Sequence, residues 1–298
     1  MPNGVACPFF HGKNTKFCPF FQDIHTYFCP FFQDLTLFFP GMTHQFIGSS
    51  EYIRNLYGIY TDVFGVVLIE KSEIADAKMR IFNRDGSEGK MAGNCIRCAA
   101  KYLYDNGFVT KDTVTVETAS GVKSLELYTS GNKVTLASAD MGKAHFETSK
   151  LPSTINADRL VDYPAMIGDK IYNITCVNVG NPHCVLFCDS IEDINLEEIG
   201  PKFENAPIFP ERINTEFVRF VNKNTLKMRV WERGNGETFA CGTGACAAVA
   251  AACETGKCNK GEDITVKVKG GDLIVNYTDE KITLTGDAVL VFDGITEY

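Results

Sequence analysis

Cys241 stands directly before Gly242-Thr243-Gly244, at the head of an alanine-rich run that ends at Glu254. A thiol just ahead of a helix start meets the positive end of the helix dipole and the unpaired first-turn N–H groups. That setting lowers its pKa and favours thiolate. A thiolate so placed is suited to removing a weakly acidic proton. The preceding stretch, Glu232-Arg233-Gly234-Asn235-Gly236-Glu237-Thr238-Phe239-Ala240, supplies carboxylates, a guanidinium and glycines past which a ligand can reach backbone amides. Such glycine density argues against Cys241 being only a small buried residue.

The same chemistry is laid out a second time, 149 residues earlier. Lys78-Met79-Arg80-Ile81-Phe82-Asn83-Arg84 aligns without gaps to Lys227-Met228-Arg229-Val230-Trp231-Glu232-Arg233, Glu88 meets Glu237 and Gly93 meets Gly242. Downstream, Val114-Thr115-Val116 matches Ile264-Thr265-Val266, and Lys133-Val134-Thr135-Leu136 matches Lys281-Ile282-Thr283-Leu284. An ordered series of this kind is a duplication. It predicts two similar domains, each offering a loop followed by a helix N-terminus. Two such termini converging on one cleft would grip a small carboxylate from both sides. In the first copy, Ala92 takes the place of Cys241.

The elements that must hold these loops are mostly strands. Val63–Ile69, Lys78–Phe82, Val114–Glu117, Ser124–Tyr128, Lys133–Ala137, Val177–Val179, Cys184–Phe187, Thr215–Val221 and Thr225–Trp231 carry strand patterning. So do Ile264–Val268, Leu273–Tyr277, Lys281–Leu284 and Val289–Phe292. Helices are predicted over Asn94–Tyr104, ended by Asn106-Gly107, and over Gly244–Glu254, ended by Gly256. The fold class is therefore α+β: two pseudo-symmetric, mostly antiparallel β domains, each wrapped around a central helix, with the cleft between them. The expected division is an N-terminal domain at 47–142 completed by 288–298, and a C-terminal domain at 143–287.

Residues 1–46 differ from the rest. Cys7-Pro8-Phe9-Phe10, Cys18-Pro19-Phe20-Phe21 and Cys29-Pro30-Phe31-Phe32 recur every eleven residues, and Pro40 follows. Regular proline suits neither a helix nor a central strand, so an atypical Cys/Phe/Pro-rich repeated extension is expected. The cysteine spacing lacks the close ligand pairs of structural zinc sites, and no metal is expected.

Composition narrows the function classes. The chain has 298 residues and a formal net charge of −8 with a pI near 5.2, so nucleic-acid and anionic-membrane surfaces are not expected. No apolar run is long enough to span a bilayer, and no secretion signal opens the chain. The expected compartment is the cytoplasm, where twelve cysteines are mostly free thiols.

Four segments resemble the diaminopimelate epimerase family in its order. They are Asn83 to Cys98, Gly180-Asn181-Pro182-His183, Pro210-Glu211-Arg212-Ile213-Asn214 and Glu232 to Ala245. The resemblance covers roughly residues 47–298. It implies a cofactor-independent isomerase of lysine and cell-wall biosynthesis, working as a homodimer. One thiolate removes the α-proton of diaminopimelate and a thiol on the opposite face returns a proton, interconverting the LL and meso forms. Carried over, Cys241 and position 92 are the two proton carriers, with His183 and Glu232 as polar groups beside the thiols. Gly93, Asn94, Gly242 and Thr243 would hold the α-carboxylate. Asn83, Asn181, Asn214, Glu232 and Arg233 would hold the distal amino-acid end.

The departures matter as much. The family's first catalytic cysteine falls on Ala92, and a methyl group carries no proton, which implies impaired activity. Three accounts stay open: an introduced substitution, an inactive relative that still binds ligand, or replacement by Cys95. The family's N-terminal segment is matched only faintly by His11-Gly12-Lys13-Asn14-Thr15-Lys16-Phe17, and a glycine-rich segment is altered to Gly58-Ile59-Tyr60-Thr61-Asp62-Val63-Phe64-Gly65. If residues 1–46 form no strands, the first domain keeps an open sheet edge. A racemase of another amino acid on the same fold is the competing enzyme reading. A redox or zinc pair at Cys95-Ile96-Arg97-Cys98 is the non-enzymatic one.

Overall fold

Alternation of apolar residues sets the strands of this protein, and the duplication sets how they pair. A computed structural model describes residues 22–28, 35–40, 63–82, 88–89 and 92–296. In chain order the strands of the first half are β1 (Gln22–Phe28), β2 (Leu35–Pro40), β3 (Val63–Glu70), β4 (Ala77–Phe82) and β5 (Glu88–Gly89). Helix α1 (Gly93–Asp105) follows, then β6 (Thr113–Thr118), β7 (Gly121–Ser130) and β8 (Lys133–Gly142). The second half has β9 (Tyr163–Ile167), β10 (Lys170–Asn178), β11 (Pro182–Phe187), α2 (Leu196–Glu204), β12 (Asn214–Asn222), β13 (Thr225–Glu232) and β14 (Gly236–Thr238). It closes with α3 (Gly242–Glu254), β15 (Asp263–Val268), β16 (Gly271–Tyr277), β17 (Ile282–Asp287) and β18 (Val289–Thr296).

Two runs of eight strands share one pairing series. One reads β18-β1-β2-β3-β4-β6-β7-β8 and the other β9-β10-β11-β12-β13-β15-β16-β17. In both, the third and fifth pairings are parallel, and every other pair is antiparallel. The short β5 and β14 add to β4 and β13 alike. β8 and β17 pair antiparallel and join the halves, with Ala139 opposite Leu284.

Each half curls round its helix. α3 is almost entirely buried because its Gly, Ala and Cys side chains let the surrounding strands approach. α1 buries a face that includes Cys95, Cys98 and Leu103. Both helices stop the same way. Gly107 (φ 74°) donates to Tyr104 O and Phe108 to Leu103 O; Gly256 (φ 70°) donates to Cys253 O and Lys257 to Ala252 O. This paired reverse bonding needs a left-handed residue, which glycine adopts without a Cβ penalty. One core runs through both halves, and a second lies between α2 and β9–β13.

One expectation is corrected, and two elements lie beyond the sequence reading. Residues 22–28 and 35–40 are strands, and β2 lies between β1 and β3. Proline does not prevent this, because Pro30 falls between the two strands and Pro40 is the last residue of β2. α2 was not expected, since Gly200 and Pro201 break its pattern; it is held by Phe203 and Trp231 packing. β9, which contains Pro164, pairs among the described residues only with β10, where a missing donor is tolerated. The rest of the first 46 residues, the Cys7, Cys18 and Cys29 repeats among them, lies outside the described residues, as does Asn83. No helix among the described residues is long and apolar enough to cross a membrane.

Candidate active site

Two arginine clamps join the strands that precede the helices. Arg80 Nε and Nη2 donate to Glu88 Oε1 and Oε2 at 2.8 and 2.9 Å; Arg229 repeats this on Glu237 at 2.8 and 3.0 Å. Bidentate pairs of this kind are directional as well as strong. They tie β4 to β5 and β13 to β14, the strand pairs that precede the two helices. The aligned Arg and Glu of the repeat are the signal that points to them.

At those starts Ala92 and Cys241 occupy equivalent N-cap positions, with φ −137°, ψ 126° and φ −127°, ψ 113°. Cys241 Sγ accepts from Gly244 N at 3.3 Å and lies 3.4 Å from Thr243 Oγ1. Ala92 makes no side-chain cap. The two termini converge. A Cβ added at Gly93 would sit 3.3 Å from Leu284 Cδ2, and one at Gly242 would sit 2.9 Å from the same methyl. Arg97 Nη1 donates to Gly93 O at 3.1 Å and Nη2 to Asn94 Oδ1 at 2.7 Å, which leaves the Asn94 amide N–H groups for another partner. Cys95 and Cys98 lie inside α1, past the N-cap position that Ala92 holds, and both are buried.

The second group comes from neighbouring strand ends. His183 of β11 pairs with Asn214 of β12, and Thr215 with Trp231 beside Glu232 of β13. His183 is fully buried, with Nδ1 2.7 Å from Glu216 Oε1 and Nε2 2.9 Å from Asn181 Oδ1. Against a carboxylate, Nδ1–H is the donor. Asn214 joins the strand ends: it donates to Pro182 O at 2.8 Å and accepts from Arg233 N at 3.0 Å. One of its amide N–H groups remains for a ligand. Arg233 Nη1 donates to Glu211 O at 3.1 Å. Glu232 Oε1 accepts from Thr238 Oγ1 at 2.6 Å.

Behind this loop Glu204 of α2 accepts from Trp231 Nε1 at 2.7 Å, Gly234 N at 2.9 Å and Arg212 Nη1 at 3.0 Å. Arg212 has φ 62°, and its bond to Glu204 helps hold that left-handed backbone. Neither Glu204 nor Glu216 is signalled by the motifs, because each acts through packing partners distant in sequence.

The electrostatics of Cys241 reverse the sequence expectation. Burial pushes its thiol well above the ordinary range, Glu232 and Glu216 push it further, and the bonds from Thr243 and Gly244 N–H only partly oppose this. The helix-start effect is outweighed first by burial and then by the two carboxylates that share the pocket. Glu232 is itself raised, first by burial; Thr238 and His183 pull against that. Among the described residues no group of three His, Cys, Asp or Glu side chains is arranged to hold a metal ion.

The paired sheets and facing helix starts define a two-domain epimerase and racemase fold. The crystal structure of a hydroxyproline epimerase from Agrobacterium vitis has this fold, with a TM-score of 0.65 over 94% of each chain at 13% identity. A family model described as Diaminopimelate epimerase matches residues 52–147 and 175–291. The diaminopimelate epimerase of Acetivibrio thermocellus is 46% identical over 242 residues, 80% of this chain and 84% of the relative. That of Methanococcus maripaludis strain S2 is 45% identical over 240 residues, 80% and 85% of the two chains. This chain belongs to the diaminopimelate epimerase family.

Proposed function

We propose that this chain binds diaminopimelate between the two helix starts and carries proton chemistry on one thiol only, that of Cys241. The supporting observation is the matched N-cap geometry of Ala92 and Cys241, which face a shared methyl group through Gly93 and Gly242. In this reading the α-carboxylate accepts from first-turn N–H groups at Gly93, Asn94, Gly242 and Thr243. Negative charge that develops as the α-proton leaves is stabilised there. Asn83, Asn181, Asn214, Glu232 and Arg233 hold the distal end.

Cys241, once ionised, takes the α-proton and becomes a thiol; the substrate keeps the electron pair as a carboxylate-stabilised carbanion. Inversion needs a proton from the other face, and Ala92 has none to give. Cys241 therefore returns the proton, or a deuteron after exchange with solvent, to the face it came from. The expected activity is α-hydrogen exchange with retention, on the isomer presented to Cys241. His183 and Glu232 adjust the protonation of Cys241. No cofactor takes part in this scheme, and the protein acts as a cytoplasmic homodimer.

The test is α-deuterium incorporation from deuterated water into LL- and meso-diaminopimelate supplied separately, beside Ala92→Cys. Exchange without epimerisation by the unmodified chain, and epimerisation by Ala92→Cys, are expected. Epimerisation by the unmodified chain would refute the missing-donor argument. Failure of both proteins to exchange would refute the epimerase reading of this chain.

A further inference from the structure

Glu216 lies outside every motif that marks the site, yet it is built into the middle of it. It is fully buried on β12, with Oε1 on His183 Nδ1 at 2.7 Å and no hydrogen-bond partner for Oε2 among the described residues. A buried carboxylate with one oxygen unpaired opposes folding. The duplication shows that the fold does not require it. The strand register that sets Thr215 opposite Trp231 sets Val66 opposite Phe82 in the first half, so Glu216 corresponds to buried Val67. The charge is present only on the side that keeps its thiol.

Gly244 links that charge to the sulfur. Its N–H caps onto Cys241 Sγ, while an added Cβ would lie 2.7 Å from Glu216 Oε1 and 3.3 Å from Cys241 Sγ. The carboxylate oxygen and the sulfur are therefore at most about 6 Å apart, close enough for two like charges to oppose each other strongly. In the first half the corresponding helix position is Cys95, a buried core residue.

We propose that Glu216 is a positioning residue for the proton chemistry at Cys241: its carboxylate fixes the His183 ring through Nδ1, and its charge beneath the first turn of α3 helps, with burial and Glu232, to keep Cys241 a thiol in the resting protein. This deepens, and rests on, the reading of Cys241 as the proton carrier. The groups that face the sulfur are consistent with this. β12 contributes Glu216, β13 contributes Glu232, and β11 contributes His183, which engages both carboxylates. α3 itself adds Thr243 Oγ1 and Gly244 N–H. From α1 and β17 the charged groups are Arg97 and Asp287, and Arg97 faces Cys246 and Asp287.

The test is the pH midpoint of iodoacetamide labelling at Cys241, resolved by peptide mass spectrometry, in the full-length chain and in Glu216→Gln and Glu216→Asp. The midpoint reports ionisation, whereas a loosened structure changes the limiting rate at all pH values. Glu216→Gln is expected to lower the midpoint by about one pH unit, giving roughly tenfold faster labelling below it. Glu216→Asp, which withdraws the charge by one methylene, is expected to lower it by less. Cys188, half-buried and outside the site, is the internal control and keeps its midpoint. An unchanged Cys241 midpoint in both variants overturns the proposal; if the Gln variant does not fold, the Asp midpoint alone decides. Loss of α-proton exchange in both the unmodified chain and Ala92→Cys would sink the epimerase reading without moving this titration. An unmoved midpoint with exchange intact would sink only the role of Glu216.

Discussion

Replacing Gly200 by alanine tests the support beneath the Glu232–Gly236 loop. Gly200 lies inside α2, where alanine is intrinsically favoured over glycine by about 1 kcal/mol. Packing opposes this. The new Cβ would fall 2.2 Å from Trp231 Cδ2 and 2.5 Å from Cε3 and Cγ, far inside van der Waals contact. Trp231 cannot yield freely, because its Nε1 donates to buried Glu204 at 2.7 Å. Overpacking costs about 1–3 kcal/mol, and disturbing a hydrogen bond to a charged group costs about 1.5–3 kcal/mol. Against the helix gain, a net loss of about 1.5–5 kcal/mol is expected. Trp231 is the only tryptophan in the chain, so its fluorescence reports this contact directly. Urea unfolding followed by that emission should show an earlier midpoint and a red-shifted native spectrum. Because Glu204 also holds Gly234 N, diaminopimelate binding should weaken too. A native spectrum and midpoint equal to those of the unmodified protein, or a gain in stability, would refute the reasoning.

Leu284→Ala removes the methyl shared by both helix starts; about 2–5 kcal/mol of stability should be lost, together with diaminopimelate affinity measured by calorimetry. Lower stability with unchanged affinity would argue that the helix starts do not hold the ligand. Glu232→Gln carries a pH signature. Burial raises this carboxyl above 4.5, so the stability of the protonated form is complete below 4.5 and is lost as pH rises through the raised value. The Gln variant mimics that form. Its melting temperature should match the unmodified protein in acid and exceed it at neutral pH, the gap opening upward from 4.5. A Gln variant less stable at neutral pH would contradict this sign.

The glycine-flanked thiol, the duplicated loop and the absence of a thiol at position 92 were legible in the sequence because they are local patterns of residue type at fixed spacing. Most strands and both long helices were legible for the same reason, since alternation and helix-end glycines act over a few residues. β1 and β2 were not, because partners among distant strands outweigh what proline-rich composition disfavours. α2 was not, because Phe203 and Trp231 supply what Gly200 and Pro201 take away. The ionisation of Cys241 was misjudged for a related reason. A helix start is visible in sequence, whereas the sulfur is buried, and Glu232 and Glu216 approach it, only once β12 and β13 lie side by side. By itself the sequence determined which groups exist and how they repeat. Tertiary structure decided their proximity, and with it the sign of the electrostatics, because burial and through-space charge depend on distances that spacing along the chain does not contain.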